Sequence, residues 1–322
     1  MTRAQDQQTL ADHQRSYTNG QHQPFAPATT NAHAPQPSSA QLPPTQPIGV
    51  FDSGVGGLTT VRKLVNMLPN ERVLYLGDTA RVPYGNKSAS TVREYARECV
   101  DFLVHRSVKA VIIACNTVSA VAMDAVQAVS PVPVVGVIEP AAQAALKRTR
   151  SGKIGVIGTR ATVQSRAYEM AIAAAVASSI NADVRVFSEA CPLFVPLAEE
   201  GWHYHPSTRL IAEEYLAPLK RAEIDTLILG CTHYPMLADV IQDVLPNVTL
   251  INSGEEAVSV AATILEEQRL HALHTPLSRV VECYITDKST AFGQVAERFL
   301  GFPLAMAQQI HLAADVQTLE SH

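Results

Sequence analysis

A repeated alternation limits the folds open to this chain more than any other feature. From Ile48 onward, short runs of β-branched and aliphatic residues end in polar, glycine-containing turns and give way to segments of helical periodicity. The runs are 48–51, 73–76, 111–114, 132–138, 154–157, 226–230 and 248–251. Several are apolar throughout rather than alternating, which is the pattern of strands buried on both faces. Between them, Val92, Tyr95, Ala96, Cys99, Phe102 and Leu103 fall on one helical stripe. Met236, Leu237, Val240, Ile241, Val244 and Leu245 form another, with Pro235 where a first helical turn tolerates it. Strand alternating with helix predicts parallel sheets in an α/β fold, with ligands at the carboxyl ends of the strands.

The chain has 322 residues, 47% of them hydrophobic and 17% charged, enough for one large domain or two ordinary ones. Its 25 Lys and Arg against 30 Asp and Glu leave no cation excess to displace phosphate counterions, so nucleic acid is not an expected partner. Membrane insertion is not expected either. The most apolar stretches, 110–123 and 125–138, are too short and are broken by Asn116, Pro131 and Pro133. No basic-then-apolar signal segment opens the chain, and the five cysteines form no CxxC pair, which together fit reduced thiols in a cytoplasm.

Residues 1–47 differ from the rest. Gln and Pro fill 16 of the 47 positions, and no Val or Ile occurs before Ile48. A segment of this composition cannot bury enough apolar area to offset its ordering entropy, so a disordered tail is expected. A second, short tail is expected at 306–322.

The folded part echoes itself. IGVFDSG (48–54) resembles IGVIGTR (154–160), and IIACNT (112–117) resembles ILGCTH (228–233) with Cys115 and Cys231 in register. VPVVGVIEPA (132–141) matches NVTLINSGEEA (247–257) more loosely. Two similar α/β lobes follow, at 48–144 and 145–259, each a mainly parallel sheet flanked by helices. A C-terminal segment, about 260–305, is expected to pack back on the first.

In this frame each lobe ends a strand in a cysteine. A thiol leaving a strand at a helix N-terminus meets unpaired N–H groups and the positive end of the dipole, both of which favour thiolate. The neighbouring Asn, Thr and backbone N–H groups suit a carboxylate. Buried, inert thiols are the alternative for any one cysteine. Cys99 on its apolar stripe, Cys283 in a strand-like run and Cys191 before Pro192 are read that way. Metal binding is not expected, since successive cysteines stand 16, 76, 40 and 52 residues apart without paired spacing. The glycines after Asp52 match a dinucleotide fingerprint at Gly54 and Gly56 but fail at Thr59, and serve better to turn the chain and present Asp52 and Ser53 to a cleft. None of Lys63, Lys87, Lys109, Lys147, Lys153, Lys220 and Lys288 lies in a turn motif, which disfavours a pyridoxal cofactor.

Taken in order, IGVFDSGVGGLTTVRKL, YLGDTARVPYGNKS, IIACNT, GVIEPA, GVIGTRATVQSRAY, ACPLFVPLAEEG and LILGCTHYP resemble the glutamate racemases, within the cofactor-independent aspartate/glutamate racemase superfamily. The resemblance runs from about residue 47 to 260, more weakly to 305. It implies two α/β lobes with the active site between them and no cofactor. It also implies interconversion of L- and D-glutamate, which supplies D-glutamate for peptidoglycan. By motif match the catalytic pair is Cys115 and Cys231. Asp52, Ser53, Tyr84, Gly85, Asn116, Thr117, Thr232 and His233 are the implied substrate contacts, and Glu199 is a candidate assisting group beside the alternative of an ordinary solvated acid. Homodimers are frequent in the family, and in some members an N-terminal extension accompanies activation by a peptidoglycan precursor.

Two positions depart from the family pattern: Asn252 stands where Asp is expected, and Val118 where Ala is usual. Asn252 is expected to affect turn geometry or lobe packing. Three rival readings remain open: a sibling racemase acting on aspartate or another small acid, a cysteine-nucleophile hydrolase, and a noncatalytic binding protein.

Overall fold

The apolar runs become the strands of two parallel sheets. The computed structural model describes residues 44–177, 183–272 and 281–312, so the expected tail lies outside the described residues as far as residue 43. The first sheet starts with β1 (Ile48–Asp52), followed by α1 (Leu58–Met67), β2 (Val73–Gly77), α2 (Ala89–His105) and β3 (Ala110–Ile113). Next come α3 (Asn116–Val121), α4 (Met123–Gln127), β4 (Val134–Gly136) and α5 (Ile138–Arg148). The second sheet starts with β5 (Lys153–Gly158), α6 (Arg160–Ser165), α7 (Ala167–Ala177), β6 (Arg185–Ala190) and α8 (Phe194–Glu199). It continues with α9 (Pro206–Ala222), β7 (Thr226–Gly230), α10 (Ala238–Val244), β8 (Thr249–Asn252) and α11 (Ser253–Glu267). The chain then adds β9 (Val281–Ile285), α12 (Phe292–Leu300) and β10 (Ala307–Gln309).

The strand order β2-β1-β3-β4 of the first sheet recurs as β6-β5-β7-β8 in the second, with every pairing parallel. This is the duplication heard in the sequence. In both sheets the two middle strands are flanked on each side, and β1, β3 and β7 are buried along their whole length, which is why their sequences do not alternate. β9 and β10 extend the first sheet beyond β2, and α12 packs on α1.

The lobes exchange helices. α5 leaves the first sheet and packs on α7, β7 and β8 of the second, while α11 leaves the second and packs on α1, β3 and β4 of the first. A division at 144/145 therefore falls inside α5, because that helix belongs by packing to the sheet that follows it. Asn252 caps α11, its Oδ1 accepting from Gly254 N at 3.1 Å and Glu255 N at 3.3 Å. Asn and Asp serve equally at such a position, so the departure leaves the cap intact.

Some elements differ from expectation. The run 132–138 yields only the three-residue β4, and Ile138 already begins α5. The stripe from Met236 is broken: Tyr234–Leu237 form a 3-10 turn before α10, with Pro235 in the tighter turn. β6 was not expected, because its RVFSEA carries charges permitted by its place at the sheet edge. The expected C-terminal tail is corrected at its start. β10 pairs with β9, and Ile310 and Leu312 are buried in the core, so this segment is held by the sheet; residues 313–322 lie outside the described residues. Likewise Pro44 and Pro47 at the other end are tied down. Buried Lys109 is ion-paired with Glu71 and donates to the carbonyls of Pro44 at 2.8 Å and Leu270 at 2.7 Å, and its N–H donates to Pro47 O at 3.0 Å. Among the described residues no helix is long and apolar enough to cross a membrane.

Candidate active site

Both cysteines lie just past the ends of the equivalent middle strands β3 and β7, at the carboxyl edge where parallel sheets bind ligands. They line one cavity of about 260 Å³ between the sheets. That is below the ~300–1,000 Å³ usual for drug-sized ligands and suits a small metabolite.

The first half-site is built from the β1 and β3 ends. Cys115 is the N-cap residue of α3, and its Sγ lies 3.4 Å from Ser53 Oγ, to which the thiol donates. Behind it Asp52, 1% exposed, ends β1. Its Oδ2 accepts from Gly54 N at 3.1 Å and Gly57 N at 3.0 Å, while its buried Oδ1 has no hydrogen-bond partner among the described residues. Burial raises the Asp52 pKa, against the His233 charge and the backbone N–H groups, which lower it. Burial also pushes the Cys115 thiol up to about 12, and the Asp52 charge adds to it; bonds from Ser53 and the backbone oppose this. The lowering expected of a helix N-terminus is thus outweighed, first by burial and then by the acid beside the sulfur, at a helix only six residues long.

The second half-site carries the opposite charge. Cys231 Sγ lies 3.8 Å from His233 Nδ1, and His233 Nε2 is 2.8 Å from Glu199 Oε1. Burial alone would lower the imidazole pKa, but hydrogen bonds and charge from Cys231 and Glu199 raise it to about 10. At neutral pH the ring is a cation donating to both. The Phe299 ring meets it edge to face, with centroids 5.3 Å apart. The two half-sites also touch. A β-carbon on Gly56 would stand 2.3 Å from Thr232 Oγ1 and 2.5 Å from the His233 ring, so only glycine fits there. That contact, not a phosphate, explains this glycine of the partial fingerprint.

Thr117 and Thr159 put hydroxyls on one wall, and buried Thr162 behind them closes a ring. Thr117 Oγ1 lies 3.1 Å from Thr159 Oγ1 and 3.4 Å from Thr162 Oγ1, and the latter two are 3.0 Å apart. Asn116 lines the cavity, but both ends of its amide are engaged elsewhere, by Tyr168 and Ser253, which leaves its backbone to face a ligand.

The structure therefore brings Ser53, Tyr84, Gly85, Cys115, Asn116, Thr117, Glu199, Cys231, Thr232 and His233 to one cavity and leaves Asp52 behind the wall. Gly54, expected only to turn the chain, completes the lining with Val82, Pro83, Thr159 and Val195, which were not singled out from sequence. Thr159 had a signal: in the echo of IGVFDSG by IGVIGTR it takes the place of Ser53. Val82, Pro83 and Val195 had none, since apolar wall residues look like core. Cys99, Cys191 and Cys283 are buried away from the cavity lining. Among the described residues no group of three or more His, Cys, Asp or Glu is placed to hold a metal ion.

A model of the Asp/Glu/Hydantoin racemase family matches residues 48–261. A glutamate racemase of Syntrophus aciditrophicus is 48% identical over 274 residues, which covers 84% of this chain and 98% of the relative. The structure of a glutamate racemase from Francisella tularensis in complex with D-glutamate superposes with a TM-score of 0.77 at 39% identity, covering 84% of this chain and 99% of that one. A glutamate racemase from Escherichia coli, in complex with L-glutamate and the activator UDP-MurNAc-Ala, superposes with a TM-score of 0.65 at 26% identity, covering 82% and 98%.

Proposed function

The chain belongs to the Asp/Glu/Hydantoin racemase family and is an amino-acid racemase, and from that premise we propose that it interconverts L- and D-glutamate with Cys115 and Cys231 as its two bases. The observation that carries this reading is one thiol from each sheet lining a single small cavity.

Inversion at Cα requires a proton to leave one face and another to arrive on the opposite face, and two fixed groups do this without moving. One sulfur, as thiolate, takes the Cα proton and becomes a thiol, and the C–H electron pair stays on carbon. The other thiol then gives its proton to the far face and becomes the thiolate. Atoms and charge balance, and the pair is left set for the opposite enantiomer. His233 places a positive charge beside Cys231, a sulfur that must be negative when it acts as base. At Cys115, where burial first and the Asp52 charge second hold the thiol protonated, the substrate ammonium would offset that charge. With no electron sink, the carbanion depends on oriented donors in a water-poor cavity. The Thr117, Thr159 and Thr232 hydroxyls and the Asn116 backbone suit the two carboxylates of glutamate.

A hydrolytic reading has one observation in its favour: Cys231, His233 and Glu199 stand in line at 3.8 and 2.8 Å, as a nucleophile, base and orienting acid would. It leaves Cys115 without a task. Incubation with L-glutamate in D₂O without added cofactor separates the two. D-glutamate carrying deuterium at Cα is expected; absence of both inversion and exchange, with UDP-MurNAc-Ala present as well, would defeat the racemase reading. Faster turnover of aspartate than glutamate would move the substrate assignment. The product D-glutamate would enter peptidoglycan synthesis in the cytoplasm, and a homodimer is the assembly to test by sedimentation.

A further inference from the structure

Asn116 follows Cys115, and Gly230 precedes Cys231. Two side chains outside the cavity lining join these neighbours. Tyr168, buried on α7, donates its hydroxyl to Asn116 Oδ1 at 2.6 Å. Its ring lies against Gly230, where a β-carbon would come within 3.0 Å of Tyr168 Cε2. Ser253, the first residue of α11, donates Oγ to the Leu229 carbonyl at 3.0 Å and accepts from Asn116 Nδ2 at 3.3 Å. Each end of one amide beside the first thiol is thereby tied to the strand end that carries the second.

Every member of this chain is buried. A buried polar group without its partner costs more than a bond to water, so the arrangement holds only at its own geometry. The exchanged helices α5 and α11 also hold the sheets together, by side-chain packing and by the solvent-facing ion pairs Lys63–Glu255 and Arg148–Glu256, which tolerate small slides. A hydrogen-bond chain of fixed length does not. We infer that Tyr168 and Ser253 are positioning residues that set the spacing of Cys115 and Cys231, and with it the fit of two bases to the two faces of one carbon. The inference deepens the proposed two-thiol reaction and rests on it.

Tyr168→Phe keeps the ring on Gly230 and removes only the hydroxyl. A misplacement of about 1 Å costs as much as ~100-fold in rate, so a kcat about tenfold lower in both directions is expected, with KM for each enantiomer within about threefold of wild type. In D₂O, more Cα deuterium should appear in uninverted substrate per inversion. With the second thiol out of place, the first exchanges its captured proton with solvent and returns a deuteron to the same face. Ser253→Ala is expected to behave alike, and decides the matter if Tyr168→Phe does not fold, folding being followed by circular dichroism. A kcat per folded molecule within about twofold of wild type in both variants overturns the inference, as does a loss confined to KM. Wild-type enzyme that neither inverts nor exchanges would instead remove the reaction itself, whatever the variants do.

Discussion

The surroundings of Cys115 and Cys231 differ far more than the sheets that carry them. Strand order, strand ends and cysteine register repeat from one lobe to the other. Two exchanges between the repeats reverse the local charge. Asp52, behind Cys115, is matched by Gly158 in the second lobe, and Thr117, two residues past Cys115, is matched by His233. One sulfur, held as thiol first by burial, has a carboxylate beside it as well, while the other sits against an imidazolium. The repeated framework decides where each thiol is; Asp52 at the end of β1 and His233 in the turn after β7 set the charge beside it. A symmetric fold thus sets its two thiols in unlike surroundings, which is the asymmetry the proposed two-base inversion calls for.

The most direct attack on this comparison removes one sulfur at a time. Cys115→Ser and Cys231→Ser should each lower racemisation by at least about 10³-fold, since general acid–base groups contribute up to ~10⁴-fold and a hydroxyl is a poor base at neutral pH. Chiral chromatography of glutamate reads this. Near-normal turnover in either variant would reduce the site to one working half. Gly56→Ala comes next. The added carbon meets Thr232 at 2.3 Å and His233 at 2.5 Å, so the halves must part. A loss of about 100-fold in kcat/KM with the fold retained is expected.

Charge variants should test the polarity itself. Asp52→Asn keeps the shape but removes the anion that helps hold Cys115 near 12. At pH 8 iodoacetamide should alkylate Cys115 about tenfold faster, as a one-unit fall in thiol pKa would produce. An unchanged rate would mean that burial alone holds this thiol. On the other side, Glu199→Gln removes a group that raises His233 to about 10. A raised imidazole pKa keeps the cation up to that pH, so activity that needs the cation falls as pH climbs through about 10. In the variant the alkaline limb of kcat should move to lower pH, with a severalfold loss at pH 9 and a smaller one at pH 7. A limb that stays in place would detach His233 from the Cys231 half.

Much of this was legible in the chain. Runs such as VLYLG and TLILG are apolar throughout because their strands are covered on both faces, so sheet type and cysteine placement follow from pattern. The polarity was legible too, in Asp52 and His233 at unmatched places of the echo. What stayed hidden needed distance. Periodicity does not show that α5 and α11 trade sheets, because an amphipathic face does not name its partner. Nor does it show that Asn116 spends its side chain on Tyr168 and Ser253, residues 52 and 137 positions away. Asp52 was expected in the cleft and lies behind it, because the N–H groups of Gly54 and Gly57 turn its carboxylate inward.

The smallest effect bears on a further pair of equivalent residues that do different work. Ser53 and Thr159 each follow the first strand of their sheet, but Ser53 Oγ meets the Cys115 sulfur, whereas Thr159 Oγ1 meets Thr117 and Thr162 rather than Cys231. If the second thiol takes its setting from His233 alone, Thr159 is free to serve the bound carboxylate. Thr159→Val keeps the volume and removes one hydroxyl worth about 1 kcal/mol, so KM for glutamate should rise about fivefold with kcat within about twofold. Thr159 also caps α6, accepting from Thr162 N at 3.3 Å, so a lower melting temperature belongs to the cap and is scored separately. Thr159→Ser should restore both. A kcat that falls more than KM rises would place Thr159 in service of the second base after all, and the two half-sites would be more alike in their chemistry than their charges suggest.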